Sequence, residues 1–355
     1  MLIRKFKSIM NALLSSNTTD STEDLLFAIQ QKNLVYNYNF LYYSNQVIGN
    51  PTVFNHPDGW LYSDNGNDGQ IGFDNQSNAC VINKSNGDSL MTFGQNISEF
   101  PRWEEQLQGQ RVSATAVIYN PGIQFEVTFS LFDGVNTSSK SVVFNNKETK
   151  EINLTQEVNE NATKLNVSLT CTTSQAVINI KKVFVNKGAI ALDTLPCMVE
   201  GIIGERRQYM STEIPPAEEL SLCTKSQELS NSQTRLSSFL NGKFGTGSNK
   251  LSLLPDMRGY FSRAWDNGAS TDPDASSRTP LGDGSVDGDH TGTVQEDQFK
   301  SHQHDLNFNT NGQITAGTAA TMTIISLVSG SQTQVEGGAE SRGKNISELY
   351  TMKWA

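Results

Sequence analysis

VSATAVIY (112–119) and FEVTFSLF (125–132) are short, rich in β-branched and aromatic residues, and alternate apolar with polar side chains. That alternation matches an extended chain with one face toward a core and the other toward water. SVVFN (141–145), KLNVSLTC (164–171) and AVINIKKVFV (176–185) repeat the pattern, with polar turns between them. Several such runs at intervals of about 12–20 residues predict an antiparallel sandwich or jelly roll. On this reading residues 35–192 form a β-sandwich and the chain is mainly β.

Upstream, residues 1–34 read as a helical arm. Ile3, Phe6, Met10 and Leu13 fall at 3-4-3 spacing, an apolar seam on one helix face. Asn17 interrupts it, Ser21 with Asp24 resembles a capping box, and Leu25, Leu26 and Ile29 resume the apolar face. The seam is shorter than about three heptads, which leaves two readings open. One is an amphipathic helix packed on its own domain, the other a docking or trimerisation arm. The basic opening MLIRKFKSIM imitates an export signal, but its apolar part is short and interrupted by Ser8 and Asn11. That reads against export by this route.

Composition narrows the function classes. Only 36% of the 355 residues are hydrophobic, and the formal net charge is -10, from 27 basic and 37 acidic side chains. An acidic chain is a poor partner for nucleic acid or for an anionic membrane. Sugar binding is compatible, because it relies on aromatic platforms and amide or carboxylate side chains. No apolar run approaches the roughly 18 residues of a membrane span. Cys80, Cys171, Cys197 and Cys223 are scattered without a CxxC pair and read as isolated thiols of a protein folded in a reducing compartment.

Beyond the sandwich, residues 193–355 follow a different grammar, with one helix expected near 230–240 and many Gly, Asp and Ser. Within it, His302 and His304 form a His-x-His pair. Two imidazoles at that spacing act together only on an extended backbone, where alternate side chains share a face. Two ligands are too few for a transition metal, which takes about four to six. His56 is remote in sequence and His290 lies in a Gly/Asp loop. The missing ligands are therefore expected from other copies of the chain.

Two resemblances sharpen these readings. The opening NLVYNYNFLYYSN (33–45), the Trp of HPDGW (56–60) and the closing AVINIKKVFVNKGA (176–189) resemble the jelly-roll carbohydrate-binding modules. The resemblance implies glycan contacts, for which Trp60, Tyr62 and Trp103 are the candidate aromatics. An exposed indole stacks on the apolar face of a pyranose while Asn and Asp neighbours take its hydroxyls. The competing expectation is that Trp60 and Trp103 plug the sandwich core or its rim.

The last third resembles the collar-type domain at the tip of bacteriophage tail fibres. The motifs run in order: Glu200-Gly201-Ile202-Ile203-Gly204-Glu205, Leu222-Cys223-Thr224-Lys225, and Gly242-Lys243-Phe244-Gly245. Leu254-Pro255-Asp256-Met257-Arg258-Gly259-Tyr260-Phe261 follows, with Arg263-Ala264-Trp265-Asp266-Asn267-Gly268 as its sequel. Gly292-Thr293-Val294-Gln295-Glu296-Asp297 then leads to His302-Gln303-His304, and Glu340 through Lys353 closes the series. Gly343 where the family has Pro, and Thr224-Lys225 where it has Asp-Gly, are departures.

This resemblance implies a homotrimer whose His302 and His304 strands meet on a threefold axis. Two imidazoles from each of three chains make an octahedral shell for a first-row divalent ion, iron or zinc. It also implies baseplate or tail partners at the N-terminus, host surface polysaccharide or lipopolysaccharide at the tip, and a place in a virion tail or injection particle. Residues 305–340 correspond to the exposed tip insertion. Arg258 and Arg263, near Asp256 and Asp266, are expected as fold-fixing ion pairs. The expected function is host attachment, without catalysis. A structural fibre component is the alternative, and a polysaccharide depolymerase a weaker one, since Glu104-Glu105 and Glu218-Glu219 are adjacent acids rather than a facing pair.

Overall fold

A computed structural model describes residues 21–44, 56–66, 68–74, 76, 78–297 and 345–355. The apolar seam of residues 3–13, the pair His302 and His304, and residues 305–340 lie outside the described residues. The chain divides into two compact units, Met1–Thr293 with Glu348–Ala355, and Val294–Ser347. The first unit holds both large sheets and the short sheet after them.

Ten strands build two antiparallel five-stranded sheets. They are β1 (Leu61–Asp64), β2 (Gln70–Asp74), β3 (Ala79–Asn83), β4 (Met91–Asn96), β5 (Arg111–Asn120), β6 (Phe125–Phe132), β7 (Thr137–Phe144), β8 (Glu148–Glu157), β9 (Asn166–Cys171) and β10 (Val177–Lys187). One sheet has the order β1-β4-β9-β6-β7, the other β2-β3-β10-β5-β8. The chain crosses repeatedly between the sheets, in jelly-roll fashion.

Alternation decides the faces. In β6, Phe125, Val127, Phe129 and Leu131 are buried, while Glu126 and Thr128 face outward. The opposing sheet contributes Val112, Ala114, Ala116 and Ile118 from β5, all fully buried. β10 breaks the rule. Its apolar residues Ile178 and Ile180 are out of phase with Val183 and Val185, so a plain strand would turn half of them away from the core. A bulge between Ile180 and Lys182 resets the phase, pairing Ile180 with Ile118 and Val183 with Ala116. All four then lie in one core.

A helix, α1 (Ser21–Ala28), precedes the sandwich. Leu25 and Ala28 pack on Leu192 and Leu195, whereas Leu26 and Ile29 are exposed. The apolar face expected from Leu25, Leu26 and Ile29 is thus corrected to Leu25 and Ala28, three apart and on one side of the helix. The described part of the arm packs on its own chain.

Two further helices are short. α2 (Trp103–Leu107) lies between β4 and β5, and α3 (Thr234–Leu240) falls inside the expected 230–240 window. A small sheet follows β10, with β11 (Arg206–Tyr209) and β12 (Glu219–Ser221) on either side of β13 (Leu349–Lys353). Gly204 donates its N–H to the Lys353 carbonyl and Leu222 to that of Tyr350. Three motifs far apart in sequence therefore meet at one strand.

Candidate functional site

The outer face of the β1-β4-β9-β6-β7 sheet carries a cavity of about 720 Å³. That is within the range of ligand pockets, about 300–1,000 Å³. Its floor follows from alternation. Met91 and Phe93 of β4 point into the core, so Thr92, Gly94 and Asn96 point out. On β9, Val167 and Leu169 point in, so Asn166 and Ser168 point out. Antiparallel register sets Asn96 opposite Asn166 and Gly94 opposite Ser168. The floor is thus a row of hydroxyls and amides.

Gly94 lies at its centre. A Cβ there would come within 2.7 Å of the Val167 carbonyl and 3.1 Å of the Ser168 Cβ. Only glycine allows the two strands this approach.

The walls come from loops and strand ends. Trp103, at the start of α2, is half-buried and lines the cavity. Phe132, the last residue of β6, and Lys164 line it too, with Lys164 Nζ 4.9 Å from the Phe132 ring centroid. Asn231 and Ser232 belong to the segment that leads into α3, and Thr234 is the first residue of that helix. Thr234 is held by Glu99, whose Oε1 accepts the Thr234 amide at 2.7 Å and its hydroxyl. Among the described residues no Asp or Glu lines the cavity, and Lys164 is the one cation that does.

The three candidate aromatics part company. Trp60 is 1% exposed and stacks on Phe93 at 4.6 Å between centroids, with Phe40 tilted against both. Its indole N–H donates to the Asn37 carbonyl. As a sugar platform Trp60 is therefore corrected: it is core. Tyr62 lines the cavity edge, but its register partner is the inward-facing Phe93, and its hydroxyl donates to Asp64 at 3.3 Å. Burial, then the neighbouring Asp64 carboxylate, pushes the Tyr62 phenol above its ordinary value. Trp103 alone brings an indole to the cavity wall.

Asp64 organises that edge. Burial acts to raise its pKa, but the Ser85 hydroxyl and amide and the Gly66 amide hold it below the usual carboxylate range. Beside it, the buried Lys84 ammonium donates to the carbonyls of Ser85 and Gly87. Lys164 and Asn166 are site residues that sequence reasoning misses, although both stand in the predicted strand KLNVSLTC. Their signal is the outward phase, and its meaning depends on which sheet face carries the loops.

In the segment after the sandwich, Asp256 pairs with Arg258 through three side-chain contacts, at 2.9, 3.1 and 2.6 Å, as expected. Arg263 departs from expectation. It lies 3.4 Å from Asp272, whereas Asp266 accepts the amides of Ser270, Thr271 and Asp272. Of the adjacent acids, Glu104 and Glu105 are exposed, and Glu218 pairs with Lys353 at 2.9 Å. Glu219 is 4% exposed and accepts from Arg207, Tyr209 and Thr351. All four cysteines are unpaired. Among the described residues no group of three or more His, Cys, Asp or Glu is placed to hold a metal ion, and no helix is long and apolar enough to cross a membrane.

No family model matches the chain. It is 32% identical over 121 residues to Protein RhiB of Rhizobium leguminosarum bv. viciae, a match covering 32% of this chain and 54% of RhiB. The chain therefore spans about half the length of that curated relative. Among solved structures, TmCBM61 in complex with β-1,4-galactotriose aligns over 43% of this chain and 97% of its own, at 12% identity and a TM-score of 0.32. The CBM22-1 xylan-binding domain from Paenibacillus barcinonensis Xyn10C aligns over 45% and 96%, at 9% identity and a TM-score of 0.31. The enzymatically active domain of bacteriophage CBA120 tailspike protein 4 aligns over 44% and 21%, at 15% identity and a TM-score of 0.31.

Proposed function

We propose that the chain attaches to cell-surface glycans through the cavity on the β1-β4-β9-β6-β7 sheet. The observation that carries this is a sheet-face cavity floored by Asn96, Asn166 and Ser168 and walled by Trp103. Amides and hydroxyls exchange hydrogen bonds with sugar hydroxyls, and an indole supplies a flat apolar surface for the ring. Glycoside hydrolysis takes a pair of carboxyl groups across the scissile bond. The described residues lining this cavity include none, which favours binding over cleavage here.

In this reading the carrier is the tail or tip of a phage or phage-like injection particle, built as a homotrimer. The ordered motifs from Glu200 to Lys353 support it, and residues 1–34 are the proposed attachment to the baseplate. His302 and His304 from three chains would hold iron or zinc, so that metal binding stabilises the trimer. Several trimers on one particle turn weak sugar contacts into firm attachment. Binding of the purified protein to intact cells, competed by their surface polysaccharide, tests the function. Absence of binding, or binding that Trp103→Ala leaves unchanged, sinks it. Release of new reducing ends would favour a depolymerase instead.

A further inference from the structure

The geometry points to an acidic glycan as the ligand, one whose uronic-acid carboxylate meets Lys164 in the cavity wall. This rests on the glycan-binding reading above and names its ligand class. Lys164 is the one cation among the described lining residues, and no carboxylate among them accompanies it. Among the described residues it makes no ion pair. Its ammonium lies over Phe132, whose ring attracts the cation without neutralising it. The charge is thus left for something that enters the cavity.

The rest of the chain makes this arrangement stand out. With 37 acidic against 27 basic residues, the surroundings repel a polyanion at long range. A densely charged chain such as a sulfated polysaccharide is disfavoured. A glycan with one carboxylate per repeat, separated by neutral sugars, satisfies both conditions. The neutral sugars lie on Trp103 and the amide floor, and the carboxylate reaches Lys164 Nζ. An ammonium is a compact charge that accepts varied approach directions, which suits a carboxylate on a mobile side group.

The test uses glucuronate-bearing microbial polysaccharide fragments beside their carboxyl-reduced, neutral derivatives, titrated calorimetrically into the full-length protein. The wild type should bind the acidic form about fivefold more tightly, the size expected of one partly exposed ion pair. Lys164→Gln should abolish that preference, so that the variant binds the acidic and reduced forms equally. Added salt should erase the difference as well. Equal affinity for the two forms, or a preference that survives Lys164→Gln, overturns the acidic-ligand inference. If Trp103→Ala still weakens both forms in that case, the cavity remains the glycan site and only the charge assignment fails. Failure of either form to bind, or indifference to Trp103→Ala, overturns the cavity reading and this inference with it.

Discussion

Arg235, the second residue of α3, and Glu99, just beyond β4, form a fully buried ion pair across 136 positions of sequence. Arg235 Nε lies 3.3 Å from Glu99 Oε2, with side-chain exposures of 1% and 0%. The same carboxylate receives the amides of Thr234 and Arg235, at 2.7 and 2.8 Å, and Arg235 also donates to the Glu99 carbonyl. With the Thr234 hydroxyl, five donors converge on one residue of the sandwich. This locks the segment bearing Asn231 and Ser232 against the cavity.

Breaking that pair from one side strands a charge. Arg235→Ala is expected to lower stability by about 3–5 kcal/mol, the cost of an uncompensated buried ion. Glu99→Leu combined with Arg235→Met should recover part of it, because no charge is left unpaired, while the Thr234 and Arg235 amides still lose their acceptor. Urea unfolding midpoints of the two variants check this. Equal losses in both would refute it.

The two tryptophans should separate cleanly. Trp60→Ala removes a core side chain stacked on Phe93 and should destabilise the fold by about 3–5 kcal/mol. Trp103→Ala should change stability far less while weakening glycan affinity about tenfold, as loss of an aromatic anchor does. Thermal melts and calorimetric titration of both variants, side by side, decide it.

Asp133, in the β6–β7 turn, is fully buried. Burial acts to raise its pKa, yet the amides of Asn136, Asn159 and Val135 and the Gln156 side chain hold it below the usual carboxylate range. A folded pKa below the unfolded one means the stabilisation is present above the unfolded value, about 3.9, and is lost as pH falls through the folded value. Unfolding midpoints should therefore fall on acidification below about pH 4. Asp133→Asn should cost about 2 kcal/mol at neutral pH, the worth of hydrogen bonds to a charged group, and flatten the acid limb. An unchanged acid limb would contradict the assignment.

The proposed metal clasp makes a stoichiometric statement. Native protein should carry one iron or zinc per three chains and sediment as a trimer, and His302→Ala or His304→Ala should lower both metal content and melting temperature. A metal-free monomeric wild type is incompatible with it.

How much of the fold and site is legible in the sequence depends on range. Alternation in FEVTFSLF yields β6 and its buried face directly, because period two is local. In AVINIKKVFV the same rule misleads, since the bulge that restores phase is set by pairing with Ala116 and Ile118. Trp60 and Trp103 have similarly polar flanks. What buries Trp60 is Phe40 and Phe93, brought together only by folding. Among the adjacent acids, Glu218 sits in the turn before β12 and pairs with Lys353, whereas Glu219 opens β12 and is built into the small sheet, a difference that the adjacent letters do not carry. The Glu99–Arg235 pair has no local signature at all.

Gly94 carries one more consequence. The two central strands approach so closely there that any side chain would strike the Val167 carbonyl. The bed of the cavity is accordingly closed to substitution at its midpoint, whatever sugar occupies it. Variants that exchange one ligand for another should arise at Trp103, Lys164 and Asn231, on the banks, where loops can change without moving a strand.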